Sequence, residues 1–154
     1  DAGGGLVLCF SGDSTVQVKD RGPIQMRDLV LGDLVQANGD DAYEPIYSFG
    51  HKNHDTEAVF LAIFTDGSRS ALEISSAHML VMEGGHAVPA STIKVGDWLL
   101  AASGEPVAVT RIHKVVRTGM YAPFTPSGFG IVNGIHVSNY IAYQKSEYLM
   151  IGGI

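Results

Sequence analysis

Ile24-Gln-Met-Arg-Asp-Leu-Val-Leu-Gly-Asp-Leu-Val-Gln-Ala37 can be laid without a gap over Val88-Pro-Ala-Ser-Thr-Ile-Lys-Val-Gly-Asp-Trp-Leu-Leu-Ala101. Leu29 falls on Ile93, Gly32-Asp33 on Gly96-Asp97, Val35 on Leu99 and Ala37 on Ala101. The shared unit reads as a turn that delivers an apolar strand. Its glycine supplies backbone freedom and its aspartate accepts hydrogen bonds from nearby N–H groups. Gly-Asp turns are common singly, but a coincidence of this length predicts an internal duplication.

Outward from this block, Glu44-Pro45-Ile46 falls over Glu105-Pro106-Val107, and Phe64-Thr65 over Phe124-Thr125. Neither half carries enough apolar surface to stand alone, so the two are expected to pack around a pseudo-twofold axis. Between the repeats, short stretches rich in Val, Ile, Tyr, Phe and Thr are separated by Asn38-Gly39-Asp40-Asp41, Thr65-Asp66-Gly67-Ser68 and Ser127-Gly128. Thr15–Lys19 and Glu105–Thr110 alternate with a period of two, and Ala58–Phe64 is apolar enough for a central strand. The fold class predicted is all-β, many short strands with few or no helices.

Composition closes several alternatives. The 154 residues suit one domain, and a single cysteine, Cys9, excludes an internal disulfide framework. The 16 acidic and 10 basic residues, with no Lys/Arg cluster, offer no footprint for nucleic acid or an anionic membrane. No apolar run approaches the roughly 20 residues of a membrane helix. The chain opens Asp1-Ala-Gly-Gly-Gly without an initiator methionine, as expected at the cut end of a longer precursor.

Two elements stand out chemically. Cys9-Phe10 lies near the start, followed by the small residues Ser11-Gly-Asp-Ser-Thr15. By itself a lone cysteine reads as a buried small hydrophobe. Leu72-Glu-Ile-Ser75-Ser-Ala-His78-Met-Leu-Val81 is an apolar strand interrupted by a small-residue turn that ends in histidine. A rival reading takes His51-x-x-His54-Asp55 as metal ligands, joined by Cys9 and His78 if the fold converges on one cleft. Without a second cysteine a structural zinc is not expected, and no cofactor is called for.

Taken together, the chain resembles the Hint module, the fold shared by Hedgehog autoprocessing domains and inteins. Cys9-Phe10 with Ser14-Thr15 resembles the family's Cys-Phe-x-x-x-Ser-Thr opening. Leu29-x-x-Gly32-Asp33-x-Val35 is similar to its Leu-x-x-Gly-Asp-x-Val, and Ser75-Ser-Ala-His78 stands where it has Thr-x-Ala-His. The resemblance implies a Hint module over 9–140, an upstream flanking segment over 1–8, and a tail over 141–154 that opens a truncated following region.

The activity implied is self-cleavage at the bond between Leu8 and Cys9. The Cys9 sulfur attacks the Leu8 carbonyl carbon, and the amide becomes a thioester. His78, with an ordinary pKa of about 6.5, would take the thiol proton and return it to the departing nitrogen. Ser75 keeps the hydroxyl that the family's threonine aims at the scissile amide, a positioning role.

The second step departs from the pattern. Sterol-transferring Hedgehog domains carry an aspartate where this chain aligns His51, so sterol transfer does not carry over directly. A neutral His51 would act as general base for water, or for a sterol or another hydroxyl or thiol. Asn133-Gly-Ile-His-Val-Ser-Asn139 resembles the intein terminal block. Ser138 replaces its penultimate histidine, however, and Tyr140, no nucleophile, follows. Complete splicing is therefore not expected, and Asn139 reads as structural.

The substrate implied is the chain's own upstream polypeptide, processed by a monomer. The compartment is not readable, a secreted precursor being favoured by resemblance alone. The competing reading from another class is an inactive Hint-like binding module with an inert Cys9.

Overall fold

The computed structural model describes residues 8–39 and 41–141. The expected upstream segment and tail lie outside the described residues, apart from Leu8 and Ile141. Twelve strands and two single 3₁₀ turns make up the described chain, with no α-helix among them. The first half holds β1 (Thr15–Val18), β2 (Gly22–Gln25), a 3₁₀ turn (Met26–Asp28), β3 (Leu34–Gln36), β4 (Tyr43–Pro45), β5 (Ser48–Thr65) and β6 (Leu72–Ile74). The second holds β7 (His78–Val81), β8 (Ala87–Pro89), a 3₁₀ turn (Ala90–Thr92), β9 (Trp98–Leu100), β10 (Pro106–Phe124), β11 (Phe129–Val132) and β12 (Ile135–Ile141). They form three antiparallel sheets, ordered β2-β1-β3-β4, β6-β5-β10-β9 and β11-β12-β7-β8.

The duplication seen in the sequence is reproduced bond for bond. Leu29 and Ile93 each close a 3₁₀ turn by donating to the carbonyl three residues back, at 3.2 and 3.1 Å. Gly32 and Gly96 follow at φ +91 and +96, a left-handed region in which side chains are disfavoured. The Asp33 carboxylate accepts from the Val30 N–H at 3.0 Å, and that of Asp97 from the Lys94 N–H at 2.8 Å. The backbone of each aspartate is then tied to the returning strand. Ile46 donates to the Asp33 carbonyl at 2.9 Å and Val109 to the Asp97 carbonyl at 2.8 Å.

Those bonds correct the outward extension of the repeat. Ile46 is equivalent to Val109, not to Val107, so the two Glu-Pro dipeptides lie two positions out of step. Hydrogen bonding in the sheets, not dipeptide identity, fixes the equivalence: Pro45 pairs with Leu34 and Ala108 with Trp98. Phe64-Thr65 and Phe124-Thr125 do coincide. Ser68 donates to the Thr65 carbonyl at 3.1 Å, and Gly128 to that of Thr125 at 3.0 Å.

Most strands are short, as expected, and β5 and β10 are the exceptions, running 18 and 19 residues and pairing with each other along most of their length. The polar run His51–Glu57 carries no strand-like alternation; His51, Lys52, Asn53 and Glu57 pair with β10, while Asp55 and Thr56 donate to the Asn53 side chain across a register shift. Ala58–Phe64 does lie in a central strand, β5, flanked by β6 and β10.

Both halves feed one core. Met26, Leu29, Val35 and Ile46 from the first pack with Ala90, Ile93, Leu99 and Val109 from the second. Burial of such side chains contributes on the order of 1.5–3 kcal/mol each for the larger ones. Asn133-Gly134 turns β11 into β12, with φ +49 and +79, the left-handed pair that a two-residue hairpin needs. The Asn133 side chain also accepts from the Thr15 N–H at 2.7 Å and donates to the Ala71 carbonyl at 2.8 Å, tying β1 to the second half.

Candidate active site

The chain around Cys9 is laid into the structure as an extra strand. Phe10 exchanges backbone hydrogen bonds with Tyr121 of β10 at 2.8 and 3.0 Å, and bridges Ile74 of β6 on its other side. Phe10 has an aromatic side chain suited to a doubly covered position, and Gly12 lets the next turn pass the Tyr121 ring. A Cβ at Gly12 would sit 2.9 Å from that ring. Cys9 and Phe10 are thereby wholly buried.

Ser75 closes the arrangement from the end of β6. The Cys9 N–H, the nitrogen of the Leu8–Cys9 peptide bond, donates to Ser75 Oγ at 2.9 Å. The Ser75 N–H in turn donates to the Cys9 carbonyl at 2.9 Å. His78 follows in the same turn, its N–H donating to the Ser75 carbonyl at 3.1 Å. Its ring packs on Phe10 with centroids 4.5 Å apart. The Cys9 backbone and the Ser75 hydroxyl are thus joined directly, and the His78 ring rests on Phe10, next to Cys9 in the chain.

Electrostatics follow from burial. Cys9 sits in an apolar cluster with Phe60, Met120 and Ala122, and burial pushes its thiol up to about 12, partly opposed by the Ser75 hydroxyl. The His78 imidazole is 1% exposed, and burial pulls it down to about 4, opposed by the Asn139 side chain and the Ser138 backbone. Neither group closes a hydrogen bond on the ring, and both His78 nitrogens are unpartnered among the described residues. At neutral pH the thiol is protonated and the imidazole neutral, the pair of states that a concerted proton transfer requires.

His51 lies in β5 opposite Ala122 of β10. Because Phe10 opposes Tyr121 in antiparallel pairing, Cys9 opposes Ala122, and Cys9, Ala122 and His51 form one row across the sheet. Side chains of one row share a face, so His51 lies on the Cys9 side, two strand spacings or about 10 Å away. It is half-buried. His54 points elsewhere, its Nδ1 hydrogen-bonded to the Tyr121 hydroxyl. Among the described residues no three His, Cys, Asp or Glu side chains converge as a metal site.

Tyr121 and Phe124 contribute to the site alongside Phe10. Phe10 supports the His78 ring, Tyr121 anchors the Cys9 strand, and Phe124 covers the Cys9 cluster while lining an open cavity of about 250 Å³ with Tyr47, Ser127 and Asn139. No local signal marks Tyr121 or Phe124. Phe10 is adjacent to the cysteine and was legible as part of the opening motif.

A duplicated all-β fold that buries a cysteine beside a Ser-x-x-His turn defines the class. The chain belongs to the Hint family, whose model matches residues 4–149, and which, as the hedgehog–intein family, is known for autoprocessing. Similar proteins include Warthog protein 8 of Caenorhabditis elegans, 30% identical over 89% of this chain and 28% of that protein. Indian hedgehog B protein of Danio rerio is 30% identical over 90% of this chain and 39% of that protein. The chain therefore spans well under half of these relatives. Among solved structures, the gp41-1 intein superposes with a TM-score of 0.73 at 16% identity, covering 87% of this chain and 100% of that one. A bacterial intein-like domain from Clostridium thermocellum gives 0.71 at 16% identity, with 88% and 100% covered.

Proposed function

We propose that the chain cleaves itself between Leu8 and Cys9. The Cys9 Sγ–C bond to the Leu8 carbonyl carbon forms, the C–N bond breaks, and the thiol proton passes through His78 to the departing nitrogen, which becomes the Cys9 amino group. In the second step water adds to the thioester carbon, the C–S bond breaks, the thiol is restored and Leu8 ends as a free acid. A hydroxyl or thiol in place of water gives the corresponding adduct.

The observation that carries this reading is the 2.9 Å hydrogen bond from the Cys9 amide nitrogen to Ser75 Oγ. It holds the very nitrogen that must leave, in a turn that also carries a neutral, unpartnered imidazole. An amide is more stable than a thioester, so the first step needs a fixed geometry and a proton delivered to nitrogen. Both are supported by the Ser75 and His78 placement. His51, on the Cys9 face of the sheet with β10 between them, is assigned to the second step as general base for the incoming nucleophile.

A fusion with a folded reporter ahead of Asp1 tests this. Release of the reporter that Cys9→Ala abolishes and His78→Ala slows strongly is expected; a fusion that stays joined under all conditions overturns it. A second reading, an inactive Hint-like module, is favoured by the complete burial of the thiol. It predicts that joined outcome.

A further inference from the structure

We infer that Asn139 is a positioning residue for His78: its carboxamide oxygen accepts the imidazole N–H and so leaves the opposite ring nitrogen as the base. The inference rests on the proposed function and adds a residue that the intein-like reading of the terminal block treats as structural.

The geometry behind it is a bulge. β12 runs antiparallel to β7 with Ser138 opposite Met79, yet the next pair is Ile141 opposite His78. Asn139 therefore begins a stretch of extra chain laid directly against His78. Bulges of this kind bend a strand and re-aim its side chains, and they concentrate beside active sites. The displaced backbone is held by the Asn139 N–H, which donates to the Gly128 carbonyl at 2.8 Å.

The polar inventory points the same way. A neutral imidazole has one N–H donor and one lone-pair acceptor, and buried polar groups are rarely left without partners. Among the described residues neither His78 ring nitrogen has a hydrogen-bond partner. Asn139 commits its amide nitrogen to the Pro123 carbonyl at 3.5 Å, the long limit of a hydrogen bond, which directs that end of the side chain away and leaves Oδ1 as the acceptor. The Asn139 side chain pushes His78 up against the lowering effect of its burial, the direction expected of a nearby acceptor. The Ser138 carbonyl is the competing acceptor, since it biases the ring in the same direction.

Nitrogen NMR of the His78 ring in the whole chain reads the tautomer directly. A single tautomer is expected in the natural chain, and an equal mixture overturns the inference without any variant. Asn139→Leu keeps the volume and removes the acceptor. It should mix the tautomers and slow cleavage about 10- to 100-fold, the loss of one hydrogen bond to a buried group. Asn139→Asp removes the donor to Pro123 but keeps Oδ1, and should retain the single tautomer. If Asn139→Asp mixes the tautomers as Asn139→Leu does, the tie to Pro123 is what matters and the inference fails. If Asn139→Leu keeps the natural tautomer, the role passes to the Ser138 carbonyl and the inference also fails. A natural chain that does not cleave overturns the proposed function instead, while the ring spectrum still decides the Asn139 contact.

Discussion

The amide nitrogen of Cys9 donates to the hydroxyl of Ser75 at 2.9 Å, and the amide nitrogen of Ser75 donates back to the Cys9 carbonyl at 2.9 Å. This reciprocal pair joins residues 66 positions apart and fixes the orientation of the Leu8–Cys9 peptide within the buried site.

Ser75→Ala removes the one hydrogen-bond partner that the buried Cys9 N–H has among the described residues, while preserving the return bond, which uses backbone. An unsatisfied buried donor costs about 1–3 kcal/mol. Thermal unfolding should fall accordingly, and cleavage followed by intact mass should slow by roughly one to two orders of magnitude. Ser75→Thr retains the hydroxyl and should keep most of the rate.

The depressed His78 makes stability pH-dependent. Its folded pKa, about 4, lies below the unfolded value near 6.5, so the unfolded chain binds the extra proton first. This contribution is complete above the unfolded value and is lost as pH falls from about 6.5 toward about 4, by roughly 3 kcal/mol in all. Urea unfolding midpoints measured across this window should decline with acidification. In His78→Leu the part of the slope due to this residue should vanish.

The duplication and the all-β class were legible because each is carried by local patterns, Gly-Asp turns and alternation. The grouping of Cys9, Ser75 and His78 came only from the resemblance of their motifs to those of the Hint family, since taken singly a cysteine and a histidine of this kind read as ordinary buried side chains. What stayed hidden depends on pairing between distant segments. His51 sits in a strand because β10 lies beside it, since the polar residues around it alternate no better than a loop. The misplaced Glu-Pro equivalence shows the same limit, for only the bonds of Ile46 and Val109 to the two aspartates settle that register. Asn139 reads as structural until the bulge opposite His78 is seen.

Cys9 should resist alkylation in the folded chain. Its thiol is fully buried and pushed up to about 12 from an ordinary 9.0, a shift that lowers the thiolate fraction roughly a thousandfold. Iodoacetamide labelling at neutral pH, followed by mass, should proceed at the rate of global unfolding. Fast labelling at the rate of a free peptide thiol would contradict the burial described.

Gly50 precedes His51 and gives room to Phe124. A Cβ there would lie 2.5 Å from the Phe124 ring, which also packs in the Cys9 cluster. Gly50→Ala should therefore displace that ring and destabilise by about 1–3 kcal/mol. A lowered unfolding midpoint together with faster Cys9 labelling checks both parts of the statement.

The central claim is a thioester between Leu8 and Cys9, and hydroxylamine with intact mass measurement tests it most directly. The account predicts an upstream fragment ending in a hydroxamate at Leu8, formed by the natural chain and by His51→Ala but absent from Cys9→Ala. An uncleaved chain in hydroxylamine, or a hydroxamate fragment that persists in Cys9→Ala, would contradict it.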